Sequence, residues 1–463
     1  MRRVVERTQR SIFLFWAPLA ATWLMMAAEG PFLAAVIARL ADPTFNLAAY
    51  GVAYAFAILV EAPVIMLMSA STALGRDSVA FRRLRNFTWG LNALATALLL
   101  AVLVPWVHRT LMEGVVGLPH DVAELTYGAL WLFLPWPAAI GYRLFLHGLL
   151  IRTGRTRLVA YGTVVRLLTM AAMATALYLG AGWPGAWVGA AALSAGVVAE
   201  AAVAQLMALS TVRELKAVPE GGGSPRAGGG SLKSTARRAP GYRDIARFYY
   251  PLALTSLIGL TVQPLLTFFM GRAPFPLESL AVFPVVHALS FIFRSLGLSF
   301  QEAAIALLGD RHEHVQPVGR FAWFLGLGSS AALAVVAFTP LADIWFVRIS
   351  GLEPELARFA VIPARILVPL PALSVALSYQ RAVLVQAHRT GPITLATATE
   401  VGLIALTFVL AGWGLGWVGI TAAFVAFLIG RTGANAFLVA PVRAALARSR
   451  SLEQEEARAT AEP

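Results

Sequence analysis

The sequence predicts an all-α membrane protein, with twelve transmembrane helices in two six-helix bundles that are parallel repeats of one another. Three observations carry this. Apolar residues make up 58% of the 463 and charged residues 13%, against about a quarter charged in soluble domains, so most of the surface must face lipid. Basic residues collect in alternate loops. A nine-residue phrase, AGWPGAWVG at 181–189, returns as AGWGLGWVG at 411–419.

A helix needs about 20 mostly apolar residues to cross the hydrocarbon core. Twelve stretches qualify, near 11–40, 48–74, 88–107, 122–150, 158–180, 185–210, 248–271, 279–308, 319–346, 356–386, 392–411 and 417–442. Orientation follows from the loops. Segments with Arg2, Arg3, Arg7 and Arg10, then Arg76 to Arg85, Arg152 to Arg157, Arg213 to Arg247, Arg311 and Arg320, Arg389, and the stretch from Arg443 alternate with loops holding Arg109, Arg272 and Arg348. Both termini are therefore expected in the cytoplasm, and the protein is expected to be multi-pass in a bacterial cytoplasmic (inner) membrane. The net charge of +13 is then mostly positive-inside signal, so nucleic acid is not expected as a partner. The absence of cysteine excludes disulfides, thiolate metal sites and cysteine nucleophiles.

The Gly-, Ser- and Arg-rich stretch 211–247 reads as a flexible basic cytoplasmic linker. It separates an N-terminal bundle, 1–210, from a C-terminal bundle, 248–445, and residues 446–463 read as a disordered cytoplasmic tail.

The repeat extends far beyond the nine-residue phrase. At an offset of 233, Pro18, Leu19, Ala20 and Thr22 fall on Pro251, Leu252, Ala253 and Thr255, Pro31 on Pro264, Arg39 on Arg272, and Asp77 on Asp310. At an offset of 234, Pro135 and Pro137 fall on Pro369 and Pro371, and Arg155 on Arg389. An apolar bias would reproduce alanines and leucines, but not prolines and arginines in register. Each half has an even number of spans, so the halves cross the membrane in the same direction, a geometry that places a site between repeats near the midplane.

The phrase itself reads as a structural hairpin on the outer side. Gly182 and Gly412 permit a reversal, the following glycines allow close helix approach, and Trp183, Trp187, Trp413 and Trp417 suit the headgroup level. Pro31 and Pro264 lie inside the first and seventh spans and are expected to kink them.

Ionisable residues inside lipid normally face a cavity or a partner. The spans hold Glu29, Glu61, Glu200, Glu302 and Glu400, Arg143, Arg166, Arg294, Arg365, Arg381 and Arg431, and His147 and His287. Arg166 and Arg381 are expected to snorkel toward the cytoplasmic interface. Glu61, Arg294, Arg365, Arg431 and His287 are the candidates for substrate binding or gating, since guanidinium binds carboxylate and phosphate in a bidentate fork. Glu29 and Glu200 are the candidates for binding a coupling proton or sodium ion. The register adds that Glu61 falls on Arg294, so equivalent positions of spans 2 and 8 carry opposite charge.

No Walker A sequence occurs, GGGSLKS having Leu232 where glycine is needed, and neither HExxH nor GxSxG is present. The chain is expected to be neither an ATP-driven pump nor an enzyme, with no catalytic residue, cofactor or metal, and to act as a monomer on a small molecule in the bilayer.

Two six-span bundles in parallel repeat resemble the multidrug/oligosaccharidyl-lipid/polysaccharide exporter (MOP) superfamily, which includes the multidrug and toxic-compound extrusion (MATE) transporters. Within it, AAYGVAYAF (48–56), RFYYPLALTS (247–256), VIPARILVPLP (361–371) and LGWVGITAAF (415–424) are similar to the progressive ankylosis protein family. The resemblance implies a multidrug-and-toxin-extrusion-like fold and a rocker-switch exporter. For the vertebrate relatives it implies multivalent anions such as citrate, pyrophosphate or nucleotide, with Arg365 at an aligned position. The open alternatives are an organic-anion exporter, a proton- or sodium-coupled multidrug or cation antiporter, and a lipid-linked glycan flippase.

If Glu61 and Arg294 pair, Glu61→Arg combined with Arg294→Glu is expected to recover transport that either single substitution loses; equal loss in all three variants would rule the pairing out.

Overall fold

The computed structural model describes residues 8–75, 77–153, 155–180, 182–217, 241–308, 313–387 and 389–459. Residues 218–240 of the expected linker, Arg2, Arg3, Arg7, Arg76, Ala181, Asp310, Arg311 and residues 460–463 lie outside them. The described chain is helical, with no strand among the described residues. Nine helices there are long and apolar enough to span a membrane: Gln9–Ile37, Pro43–Glu61, His120–Arg152, Arg157–Gly180, Gly185–Ala217, Pro276–Leu307, Val315–Phe338, Gly391–Gly414 and Gly419–Ser449. Two bent pairs complete spans 3 and 10, Ser78–Val102 with Pro105–Val116 at 72° and Pro354–Ile366 with Leu370–Gln386 at 41°. Span 7 is shorter, its apolar part covering Ser256–Gly271. The chain is a multi-pass membrane protein.

Proline sets most of the breaks. Pro31 has no N–H for the carbonyl of Ala27, and the first span divides there into Gln9–Ala27 and Glu29–Ile37. Pro264 does the same to Leu260, dividing span 7 into Tyr242–Leu260 and Val262–Gly271. Pro63 has no counterpart, because Leu296 stands at the offset of 233. Accordingly span 2 is interrupted after Glu61 and resumes as Leu67–Leu74, while span 8 runs unbroken from Pro276 to Leu307.

The described residues form two compact units whose boundaries fall inside spans 1 and 7. One, contiguous in sequence, is Val36–Phe268; the other, split in sequence, is Met1–Ala35 with Phe269–Pro463. Each thus takes a segment from the opposite sequence half, and the two segments are anchored at repeat-equivalent residues. In the split unit the indole N–H of Trp16 donates to Ser299 Oγ at 2.9 Å, over a core of Ile12, Ala20, Phe300, Phe321 and Val375. In the contiguous unit Tyr249, 233 residues after Trp16, donates its hydroxyl hydrogen to the carbonyl of Pro63 at 2.5 Å.

The outer hairpins use the repeated phrase asymmetrically. Gly182 takes a left-handed conformation, φ 61°, as expected, but in the second copy that conformation falls on Gly416, φ 66°, rather than on Gly412. The reason is that a π-helical turn, Val409–Gly414, carries span 11 past Gly412. Asn46 Oδ1 accepts from the N–H of Ala186, and Ser279 Oγ, its repeat equivalent, accepts from the N–H of Ile420. At the linker and tail the structure departs from the expected boundaries. Span 6 remains helical to Ala217, a helix starts at Tyr242, and the last helix runs on to Ala459. Residues 446–459 are rich in Ala, Leu, Arg, Glu and Gln, which prolong a helix already nucleated.

Helix spacing gives a stability test. A Cβ at Gly148 would lie 1.8 Å from Ser71 Oγ and 2.4 Å from the carbonyl oxygen of Met68, whereas nothing lies within 4 Å at Gly402. Gly148→Ala is expected to cost about 1–3 kcal/mol through overpacking. Gly402→Ala is expected to be neutral or to gain up to about 1 kcal/mol. Thermal unfolding in detergent checks both.

Candidate functional site

Each unit carries a group of charges inside its membrane-spanning helices. In the contiguous unit the span-4 helix Trp136–Arg152 supplies three of the contacts. The indole N–H of Trp136 donates to Glu61 Oε2 at 2.6 Å. Two and three helical turns further on, Arg143 and His147 occupy the same face. Arg143 Nη1 meets Glu200 Oε2 at 2.5 Å, and Arg166 Nη1 approaches the same oxygen at 3.7 Å. Tyr142 bonds Gln205 and stacks on Trp89. Glu200 is fully buried, and two guanidiniums face its carboxyl group. Arg166 is buried as well, which corrects the expectation that it snorkels: its guanidinium turns to the carboxylate of Glu200.

The split unit has a comparable group with a different balance. Arg431 Nε meets Glu400 Oε1 at 2.7 Å, and its Nη1 donates to Ser374 Oγ at 3.4 Å. Arg294 lies over the ring of Phe427, its Cζ 4.8 Å from the centroid, and Arg431 lies 5.4 Å from the same centroid. Arg381 Nη2 donates to Thr397 Oγ1 at 3.2 Å and lies in the field of Arg431 and Glu400. It too turns inward rather than to the interface. Three guanidiniums therefore face one carboxylate. Arg294, 9% exposed, keeps Nε and Nη1 buried with no protein hydrogen-bond partner. His287 lies near Arg294 and is stacked between Phe283 and Phe291.

Two positions of these groups are repeat-related with the signs exchanged. Arg166 and Glu400 stand 234 residues apart. So do the glycines packed on them: a Cβ at Gly196 would lie 2.9 Å from the carbonyl oxygen of Arg166, and one at Gly430 would lie 2.8 Å from that of Glu400. Spans 5 and 6 are joined by Arg166 and Glu200, spans 11 and 12 by Glu400 and Arg431. With Glu61 and Arg294, this is a second inversion. It was readable by carrying the register to position 166, where the reading by depth in the span had set Arg166 aside. His147 falls on Arg381 at the same offset, whereas Arg143 and Phe427 carry no such signal in the sequence.

The other expected site residues are placed as follows. Glu61 and Arg294 belong to different units. Glu29 is buried in the first turn of the helix following the span-1 break, two residues before Pro31. Pro31 and Pro264 each follow a break by three residues. Arg365 is exposed and stands apart from the Arg294 group: its Nε donates to the carbonyl of Ala337 at 3.2 Å and its guanidinium lies over Phe338, the geometry of a cation at a helix C-terminus. Trp183 and Trp187 line a cavity of about 620 Å³ with Asp42, Asn46, Asp121 and Glu124. No group of three or more metal-ligating side chains occurs among the described residues.

The fold is similar to that of solved multi-pass transporters described as members of the MOP superfamily. The chain is similar to an inward-facing multidrug-resistance MATE-family transporter of that superfamily, with a TM-score of 0.70 at 13% identity, over 96% of this chain and 99% of the other. It is similar to the lipid II flippase MurJ in an inward closed conformation, with a TM-score of 0.66 at 12% identity, over 93% and 87%. A MOP-superfamily transporter from Pyrococcus furiosus, described as having a binding pocket of reverse polarity, matches with a TM-score of 0.59 at 14% identity, over 96% and 100%. These structures are transporters and a flippase, not enzymes. No protein-family model matches the sequence, and no curated protein matches it.

The charge balance of the split unit predicts opposite effects on stability. Glu400→Gln leaves three guanidiniums uncompensated and is expected to cost about 3–5 kcal/mol. Arg294→Met removes a cation with unmet donors and is expected to be neutral or to stabilise by about 1–3 kcal/mol. Glu400→Gln should lower the thermal midpoint, and Arg294→Met should leave it unchanged or raise it.

Proposed function

We propose that the protein is a secondary active transporter that exports an organic or phosphate-containing anion by rocker-switch alternating access. The fold supports the transporter class. The observation that carries the anion reading is Arg294, whose buried Nε and Nη1 have no protein partner in a group where three guanidiniums face one carboxylate. Guanidinium recognises carboxylate and phosphate in a bidentate fork, and the low dielectric around it strengthens the contact. The resemblance of four segments to the progressive ankylosis family supports the same substrate class and makes membership of that family part of the proposal. Arg431, with His287 beside the group, completes the wall. The site is proposed in the inner membrane of a bacterium, with both termini cytoplasmic.

A coupling proton or sodium ion would bind at the carboxylates, Glu29 and Glu200 foremost. The rival readings are a cation or multidrug antiporter, in which Glu29 and Glu61 bind proton and cation in turn, and a flippase for a lipid-linked glycan. The likeness to MurJ favours keeping the flippase in view.

The test is efflux from proteoliposomes loaded with citrate, pyrophosphate or ethidium, with and without a proton gradient. Citrate or pyrophosphate is expected to leave, and Arg294→Met is expected to abolish the movement while the protein stays folded. Ethidium movement that Glu29→Gln abolishes, with no anion movement, would overturn the anion reading.

A further inference from the structure

Two buried polar atoms of the contiguous unit lack a protein partner and converge on one point. Both guanidinium contacts of Glu200 fall on Oε2. Its Oε1 is buried with no protein hydrogen bond, and so is Nε2 of His147, a residue 3% exposed. Opposite them on span 5 is Gly162. A Cβ there would lie 3.4 Å from Glu200 Cγ and 3.5 Å from both Glu200 Oε1 and His147 Nε2. The missing side chain is what leaves a notch bounded by both atoms.

We infer that this notch holds a water molecule that links His147 Nε2 to Glu200 Oε1, making the two side chains a proton-relay site. The inference rests on the transporter reading and deepens it by naming the coupling ion as a proton and assigning His147, which nothing in the sequence singles out for this role. A buried water needs two to four polar partners, and the notch offers an acceptor-only carboxylate oxygen and an imidazole nitrogen that can accept or donate. A sodium ion fits poorly, because it needs several oxygens and Oε2 is already held by two cations.

The charged and titratable groups facing the pair are Arg143 on span 4, Arg166 on span 5 and Glu61 on span 2. The Tyr142 hydroxyl on span 4 is engaged by Gln205. While Glu200 carries no proton, the water donates one hydrogen to Oε1. When His147 takes a proton on Nε2, that N–H donates to the water, and the water's own hydrogen passes to Oε1 as the proton leaves Nε2. A new O–H bond forms on Glu200, an O–H bond of the water breaks and is replaced from Nε2, and His147 returns to neutral. Neutral Glu200 no longer holds the guanidinium of Arg143 by charge. Proton uptake at the notch thereby frees a cation in the interior of the unit.

Gly162→Ala separates this from a purely structural role. Its methyl would stand at ordinary contact distance from Glu200 and His147, and alanine favours a helix interior over glycine, so the variant is expected to fold. Infrared difference spectra of the full-length protein in vesicles, recorded against pH in ordinary and 18O-labelled water, read the site without any substrate. A titrating carboxyl C=O band is expected in the wild type and lost in Glu200→Gln. Its midpoint should move by about one pH unit or more in Gly162→Ala and in His147→Gln. An 18O-sensitive water band should vanish in Gly162→Ala. An unmoved midpoint with the water band intact in Gly162→Ala, or an unmoved midpoint in His147→Gln, overturns the inference. If the wild type shows these bands yet moves none of citrate, pyrophosphate and ethidium, the relay stands and the transport reading fails.

Discussion

A charge carried into hydrocarbon has to find its counter-charge close by, and the interior of each unit is organised around that constraint. Glu200 is fully buried and tolerable because Arg143 and Arg166 converge on one of its oxygens. Helices must approach closely for such contacts to form. Gly196 and Gly430 provide the approach, at positions where a Cβ would lie within 2.9 Å of a carbonyl oxygen on the neighbouring span. The bends serve the same end. Because Pro63 interrupts span 2, Glu61 stands at a helix end where the indole of Trp136 reaches its carboxylate. The span-8 equivalent has leucine instead of proline, and there Arg294 lies on an unbroken helix against Phe427.

What the sequence discloses follows from how each signal is encoded. Spans are legible because hydropathy over twenty residues is a sum that single substitutions barely change. The duplication is legible because proline and arginine are rare in membrane helices, so their coincidence at one offset is informative. Azimuth is much less legible. Thr156–Gly180 is apolar around most of its circumference, so depth alone put Arg166 near an interface while its side chain turns to Glu200. Arg365 shows the converse limit. Its segment is where the family resemblance places it, but the chain bends after Ile366, and the guanidinium meets the carbonyl of Ala337 instead of the Arg294 group. Conformation at glycine is similarly under-determined, since either Gly412 or Gly416 could have taken the left-handed turn until the π-helical turn of span 11 decided it.

The repeats keep their backbone devices and exchange their charges. Breaks at repeat-equivalent prolines, the anchoring side chains Trp16 and Tyr249, and the Asn46 and Ser279 caps are shared. By contrast Glu61 faces Arg294 in the alignment and Arg166 faces Glu400. Backbone geometry is set by residues whose replacement would unfold a span, so both copies hold to it. An ion pair is indifferent to which helix carries which sign, provided the sum is unchanged, so its polarity is free to drift after duplication. The sum is not unchanged here. Two carboxylates and two guanidiniums stand in the contiguous unit, one and three in the split unit. Sign reversal alone would give two electrically equivalent bundles, and the extra guanidinium is what makes them chemically different.

In the transport cycle proposed above, that difference divides the work between like scaffolds. A bundle with balanced charges can accept one proton by neutralising a carboxylate, because the cations it releases remain inside a group that still holds Glu61. A bundle with surplus guanidinium has no such freedom: adding a proton to Glu400 would leave three cations with no counter-charge at all, while adding a divalent anion restores balance. Arg294 therefore marks the point where folding alone gains nothing. Its donors are buried and unmet, and a methionine of similar length would fill the space above Phe427 without that cost. A side chain that weakens the empty protein and would be satisfied by a ligand anion ties the two stabilities together. On this reading the split unit reaches its lowest free energy only when occupied, and the binding energy of the anion is drawn from a deficit built into the fold.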